Sequence, residues 1–296
     1  MPSLSEANAV SESIEAWDEY VPNKTAPWDL PRVVHLHRRA AFGAPWGVLQ
    51  RDLADGPQAA VGRLLNGHAE GNSDDFEKMA RTIGDAAMAS GSAGRLKAWW
   101  LYRMLVSPDP LGERLTLMWH NHFATSNRKV QDLVRMREQN ELFRKHSRAP
   151  FAELLVAVVK HPAMLSWLDA DSNRKGHPNE NLARELMELF TLGVGSYTED
   201  DVKNTARALT GWTIAGGAFS FREARHDGSE IIVLDRHGKL TGDELIELLV
   251  DQPATARRLA WRLCHTFMGE GVVDDSALTA LAEGLVSHDL DVGWGV

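Results

Sequence analysis

Apolar residues recur at three- and four-residue spacing along most of the chain, and strand-like alternation occurs in one stretch only. Val33, Val34, Leu36 and Ala40 predict a short helix that begins near Pro31 and ends at Gly43. Further helical patterns cover 46–66 and 74–89, parted by the loop-like stretch from Asn66-Gly67 to Ser73. Residues 94–106 are apolar on most sides and predict a buried helix, stopped by Ser107-Pro108-Asp109-Pro110. Helices are also predicted over 111–123, 130–146, 150–160, 241–250, 253–268 and 274–287.

The clearest amphipathic segment is 179–193. Glu180, Asn181, Arg184, Glu185 and Glu188 fall within one arc of about 140°, and Leu182, Ala183, Leu186, Met187, Leu189 and Phe190 fill the rest. Asn179 is placed to cap its start and Gly193 to close its end. Thr198-Glu199-Asp200-Asp201 is a near capping box and opens a helix that runs to about Gly211. Residues 217–234 alternate weakly around Asp227-Gly228, a hairpin turn signal. The pattern therefore predicts a mainly α protein: one multi-helical domain over 31–296 with a small β-hairpin near 218–234. An extended arm, 1–30, precedes it, and Trp17, Tyr20 and Trp28 predict that the arm packs on the body. The final HDLDVGWGV shows no packed closing element, which fits a domain cut short and a short natural tail equally well.

Composition narrows the function classes. The chain has 296 residues, 44% apolar and 25% charged, an ordinary globular mix. Its net charge of −9, from 41 acidic and 32 basic residues, argues against a nucleic-acid partner, which needs a basic surface. The single Cys264 excludes an intrachain disulfide and a CxxC motif, and its apolar setting predicts a core thiol. No stretch approaches a membrane span, and no basic start, apolar region or twin-arginine pair is visible at the N-terminus. A cytoplasmic location is the resulting expectation. Trp is unusually frequent, at 10 residues. Trp99, Trp100, Trp119, Trp167 and Trp261 are expected in the core, whereas Trp28, Trp46 and Trp212, near element ends, could line a pocket for a flat ligand.

Three clusters could carry chemistry. In Trp119-His120-Asn121-His122-Phe123 the two imidazoles stand about 200° apart on a helix, so they can share one ion only if the helix has ended. The plainer reading buries one and solvates the other. On the 179–193 face, Glu180, Arg184 and Glu188 form an i, i+4, i+8 ladder, and Glu185 and Glu188 are i, i+3 neighbours able to share a proton or a cation. The same face is also what a solvated helix looks like. His226-Asp227 could supply a base or a ligand, although Asp-Gly is first of all turn chemistry. Phosphate-loop, dinucleotide-loop and GxSxG motifs are absent.

Several strings taken together resemble one bacterial family, the domain of unknown function 1800 family. They are HLHRRAAFGAP (35–45), LTLMWHNHFATS (115–126), the long MLSWLDADSNRKGHPNENLARELMELFTLGVGSYTEDDVKNTARALTGW (164–212), and the later HDGSE and PATARRLAWRLCHTF. The resemblance runs from about residue 31 to 290. It implies a predominantly helical fold and no established activity. Relatives are usually longer, and many carry twin-arginine export signals, a weak pointer to a metal or cofactor. The family pattern matches at His120, His122, Asn179, Glu180, Asn181, Arg184, Glu185, Glu188, Trp212, His226 and Asp227.

The leading expectation is a metal-dependent or acid/base hydrolase whose site lies between the 179–193 helix and WHNHF. Glu185 and Glu188 would act as base or ligands and His120 or His122 as ligand or acid, with Arg184 holding an anionic group; the cofactor is left open, a divalent metal being one that fits. Glu180, Asn181, Trp212, His226 and Asp227 are the further candidates. The alternative is a non-catalytic helical scaffold, or a module that binds a polysaccharide or a partner protein, in which the Arg–Glu face pins helix packing.

Overall fold

The structure, a computed structural model, describes residues 17–67 and 73–296. Helices dominate it, as the periodicity predicts. In order they are α1 (Leu30–Ala40), α2 (Trp46–Asp55), α3 (Pro57–Asn66), α4 (Ser73–Ala89), α5 (Ala93–Val106), α6 (Pro110–His122), α7 (Asn127–Val130), α8 (Leu133–Lys145), α9 (Phe151–Val159) and α10 (Pro162–Trp167). After a 3-10 turn follow α11 (Asn181–Glu185), which runs on as a π-helix over Leu186–Thr191, and α12 (Glu199–Ala208). Four short strands come next: β1 (Trp212–Ala215), β2 (Ala218–Phe221), β3 (Ile231–Val233) and β4 (Arg236–Gly238). The chain closes with α13 (Gly242–Val250), α14 (Pro253–Phe267), α15 (Asp275–Ser287) and α16 (Val292–Gly295). None of the described helices is long and apolar enough to cross a membrane.

The chain forms two compact units. Unit 1 comprises residues 1–118 with 264–277, and unit 2 comprises 119–263 with 278–296. In unit 1, α4 and α5 pair closely, and the buried Trp99 donates from Nε1 to the Ala80 carbonyl at 2.8 Å. The helical pattern over 46–66 is two helices, because Gly56 adopts a left-handed φ of 91° and Pro57 starts the next one. Two ionic networks are buried here. His37 meets Asp52 at 2.7 Å with Arg63 on the other carboxylate oxygen, and Arg103 bridges Glu113 and Glu77. The arm packs as predicted where it is described: Trp17 donates to the Ala277 carbonyl and Trp28 to that of Asp52. Residues 1–16 of the predicted arm lie outside the described residues.

Unit 2 is built on aromatic packing. Trp119, Phe123, Phe143 and Phe151 are almost fully buried, with Phe123 stacked on Phe143 and Phe151 and meeting Phe190 edge-on. The strongly apolar α9 packs on α13. The capping box at Thr198 forms in full: its hydroxyl takes the Asp201 N–H, and the Asp201 carboxylate takes the Thr198 N–H. Thr198→Ala is expected to cost about 1 kcal/mol, read from the midpoint of urea unfolding.

Two details differ from the sequence expectation. The β region is two hairpins rather than one. β1 and β2 turn at Gly216-Gly217, and β3 and β4 turn at Leu234-Asp235, where both residues adopt positive φ. Asp227-Gly228 lies between the hairpins and turns neither. The tail is also packed: the Leu290 carbonyl accepts the Phe151 N–H, and Val292 is fully buried.

Candidate functional site

The polar face of 179–193 starts from a tightly bonded loop. Asp169 takes the left-handed φ of 55° that Asp tolerates, and its carboxylate accepts from Lys129 at 2.7 Å and from the Asn181 side chain at 3.2 Å. Asn179 accepts the Asn181 N–H, so it satisfies the helix start as its position suggested. Beyond Glu185 the helix widens into a π-turn, in which the Leu192 and Gly193 N–H groups both reach back to the Met187 carbonyl. Gly193, with φ of 83°, ends it. Such turns recur at functional sites.

The extra residue of the π-turn slips the helical phase. Phe190 and Thr191 are buried and Leu189 is 41% exposed, although α-helical periodicity groups Leu189 with the apolar face. It also sends the last carbonyls to side chains instead of to backbone. His122 donates from Nε2 to the Phe190 carbonyl at 3.0 Å, and Arg258 donates from Nε to that of Leu189 at 2.8 Å. A guanidinium at a helix C-terminus is favourably placed against its dipole.

His122 is almost fully buried among Trp119, Phe123, Phe151 and Phe190. With Nε2 donating, Nδ1 is left as an acceptor, sealed and without a partner. Burial, with the charges of Arg262 and Arg258 behind it, pushes its pKa down to about 3. His120 faces other neighbours. Its Nε2 accepts from Asn140 at 3.0 Å, its ring stands edge-on to Phe143, and burial with Arg144 holds its pKa at about 3. The two imidazoles therefore look to different sides of α6, as i, i+2 spacing requires. At neutral pH both rings are neutral, so neither acts as an imidazolium acid.

The ladder of acids and arginine is only partly formed. Arg184 bonds Glu180 at 3.0 Å, then turns to Glu199, which it grips with both terminal nitrogens at 2.9 and 2.8 Å. Those bonds, the Glu199 one foremost, raise the Arg184 pKa and lower that of Glu199. Its partners in these bonds are both carboxylates of the protein itself, Glu180 and Glu199. Glu188 does not meet Arg184 and instead accepts from the Tyr197 hydroxyl at 2.9 Å. Burial and this bond push the Tyr197 pKa up to about 12.

Glu185 is different in kind. It is half-buried and makes no side-chain hydrogen bond or ion pair with a described residue. Burial, and then the neighbouring Glu188 carboxylate, raise its pKa against the opposing pull of Arg184. Among the described residues, no three His, Cys, Asp or Glu side chains gather closely enough to hold a metal ion. His122, Glu185 and Glu188 are thus not arranged as a three-ligand set.

The remaining candidates are held by neighbouring residues. Trp212 is 3% exposed, edge-on to Phe219 and under the Lys160 ammonium, so its ring lines no open pocket. Only glycine fits at 242, where a Cβ would come within 2.3 Å of that ring. His226 bonds Thr210 through Nδ1 and meets Phe221 edge-on. Asp227 is held by Ser229 and Arg207, which bring its pKa down to about 2 against the effect of burial. These two residues tie the segment after β2 to α12 and the turn that follows it. Sequence reasoning missed Tyr197 and Arg258. Tyr197 follows a Gly-rich turn that hides its return to the helix, and Arg258 sits in an ordinary amphipathic pattern.

A family model described as protein of unknown function (DUF1800) matches residues 35–295. The chain belongs to the DUF1800 family. The family assignment covers both hairpins and every candidate residue above. Comparisons with curated proteins and with solved structures gave no match. For a DUF1800 protein without a characterised relative to compare, function has to be argued from the site itself.

Proposed function

We propose that this protein is an acid/base hydrolase centred on Glu185, with Glu188 as the second carboxylate. The observation that carries the reading is the half-buried, unpartnered Glu185 carboxylate beside Glu188, with its pKa raised. A carboxyl group tuned upward in this way takes and returns a proton near neutral pH better than an exposed one. Tyr197 fixes Glu188 through its hydroxyl. Arg258, whose charge interacts with Glu188, limits the negative charge that two neighbouring acids would build up. The proposal gives Arg184 a structural part, because Glu180 and Glu199 already occupy it.

The test is a panel of chromogenic esters, phosphoesters and glycosides assayed with wild type, Glu185→Gln and Glu188→Gln. Glu185→Gln is expected to lose at least about 100-fold in turnover while its unfolding midpoint holds or rises, since no bond is broken. Turnover that survives in Glu185→Gln, or a wild type that cleaves nothing in the panel, sinks the reading.

A second reading is a non-catalytic scaffold or a module binding protein or polysaccharide. The bidentate Arg184–Glu199 contact favours it, because it spends the helix's one arginine on joining α11 to α12. A wild type without turnover, together with a Glu199→Gln variant that unfolds earlier, is the outcome expected of that reading.

A further inference from the structure

Unit 1 holds two arginines that no described residue neutralises. Arg39 lies in the last turn of α1, and its two terminal nitrogens are each 3.8 Å from the point where a side chain at Gly269 would begin. Arg114 lies in α6, with its guanidinium carbon 5.7 Å from the centre of the Phe42 ring. The two charges are close enough that Arg39 adds to the effect of burial in lowering the Arg114 pKa.

Neither arginine makes an ion pair or a side-chain hydrogen bond with a described residue. The Nε of Arg114 is sealed without an acceptor among the described residues, and the residue as a whole is only half-buried. The other partly buried arginines of this unit are different: Arg51 and Arg63 meet Asp52, and Arg103 meets Glu77 and Glu113. Holding a half-buried guanidinium beside a like charge is costly unless a counter-charge completes the site. In a chain of net charge −9, carboxylates are plentiful, yet no described one is supplied here.

We propose that Arg39 and Arg114 form a binding site for a phosphate-bearing small molecule, with Phe42 as its apolar wall and the bare Gly269 leaving room beside Arg39. A guanidinium presents a planar fork of donors that grips an oxyanion two-handed. Two forks call for more oxygens than the pair a carboxylate offers, and a tetrahedral phosphate has them. The proposal does not rest on the carboxylate site of unit 2.

Calorimetric titration of the full chain with inorganic phosphate, and with acetate at matched ionic strength, tests it. Wild type is expected to bind phosphate at one site and acetate at least tenfold more weakly. Arg39→Gln and Arg114→Gln should each weaken phosphate binding by about tenfold or more, the scale of a lost charge-assisted contact. The exposed neighbour variant Arg38→Gln should leave it unchanged. Without phosphate, Arg114→Gln should unfold no earlier than wild type, because it removes an uncompensated charge. Absent phosphate binding, equal binding by both variants, equal affinity for acetate, or early unfolding of phosphate-free Arg114→Gln would each overturn the proposal.

Discussion

Taking the pH from neutral to about 4 is expected to cost about 3 kcal/mol of stability through His122 alone. The imidazole has an ordinary value of 6.5 when the chain is unfolded, and burial with Arg262 and Arg258 brings it down to about 3 in the folded state. The unfolded chain therefore binds the proton first. The stabilising contribution is complete above pH 6.5 and drains away as the pH falls toward 3. At pH 4 the unfolded imidazole lies about 2.5 pH units below its midpoint, and each unit is worth about 1.4 kcal/mol.

His120, held at about 3 by burial and Arg144, acts in the same direction. Urea unfolding from pH 7 to 4, on wild type and His122→Gln, checks this. The variant cannot take up the proton, so the gap between the two proteins should narrow by about 3 kcal/mol across that range. Parallel curves would show that His122 titrates normally in the folded protein.

Arg103→Met is expected to destabilise unit 1 by about 3–5 kcal/mol. Glu113 is only 1% exposed, and Arg103 Nε at 3.0 Å is its counter-charge. Removing the cation takes this counter-charge from a carboxylate that is buried away from water. Glu77, the other partner, is half exposed and can turn to solvent. The double variant Arg103→Met/Glu113→Gln should therefore recover much of the loss, because the neutral amide costs far less to bury. Chemical unfolding of the single and double variants separates the terms. A single variant within about 1 kcal/mol of wild type would mean that Glu113 finds water or a proton cheaply.

Much of the molecule was legible along the chain. Helix positions followed from apolar spacing, and breaks such as Pro108 and Pro110 stood where proline must break a helix. The Thr198 capping box and the Gly193 stop were equally readable, since both are local backbone chemistry. The missed hairpin turns have a local cause too. Leu234-Asp235 adopts positive φ at both positions without a glycine, so the eye goes to Asp227-Gly228, whose carboxylate is engaged by Arg207 instead.

The candidate site divides along the same line. Sequence alone determined that Glu180, Arg184, Glu185 and Glu188 share a helix face, that His120 and His122 point apart, and that the family string runs through all of them. Those properties depend on helical geometry, which repeats every few residues. Tertiary structure alone decided which acid is partnered. Arg184 met Glu199 rather than Glu188, Tyr197 came back to Glu188, and Glu185 was left without a side-chain bond to any described residue. It also decided that His122 and Arg258 would take the carbonyls at the end of the π-turn. Partners from 9 to 69 residues away make those contacts, and their approach is set by how helices pack. A pattern of period 3.6 carries no record of it.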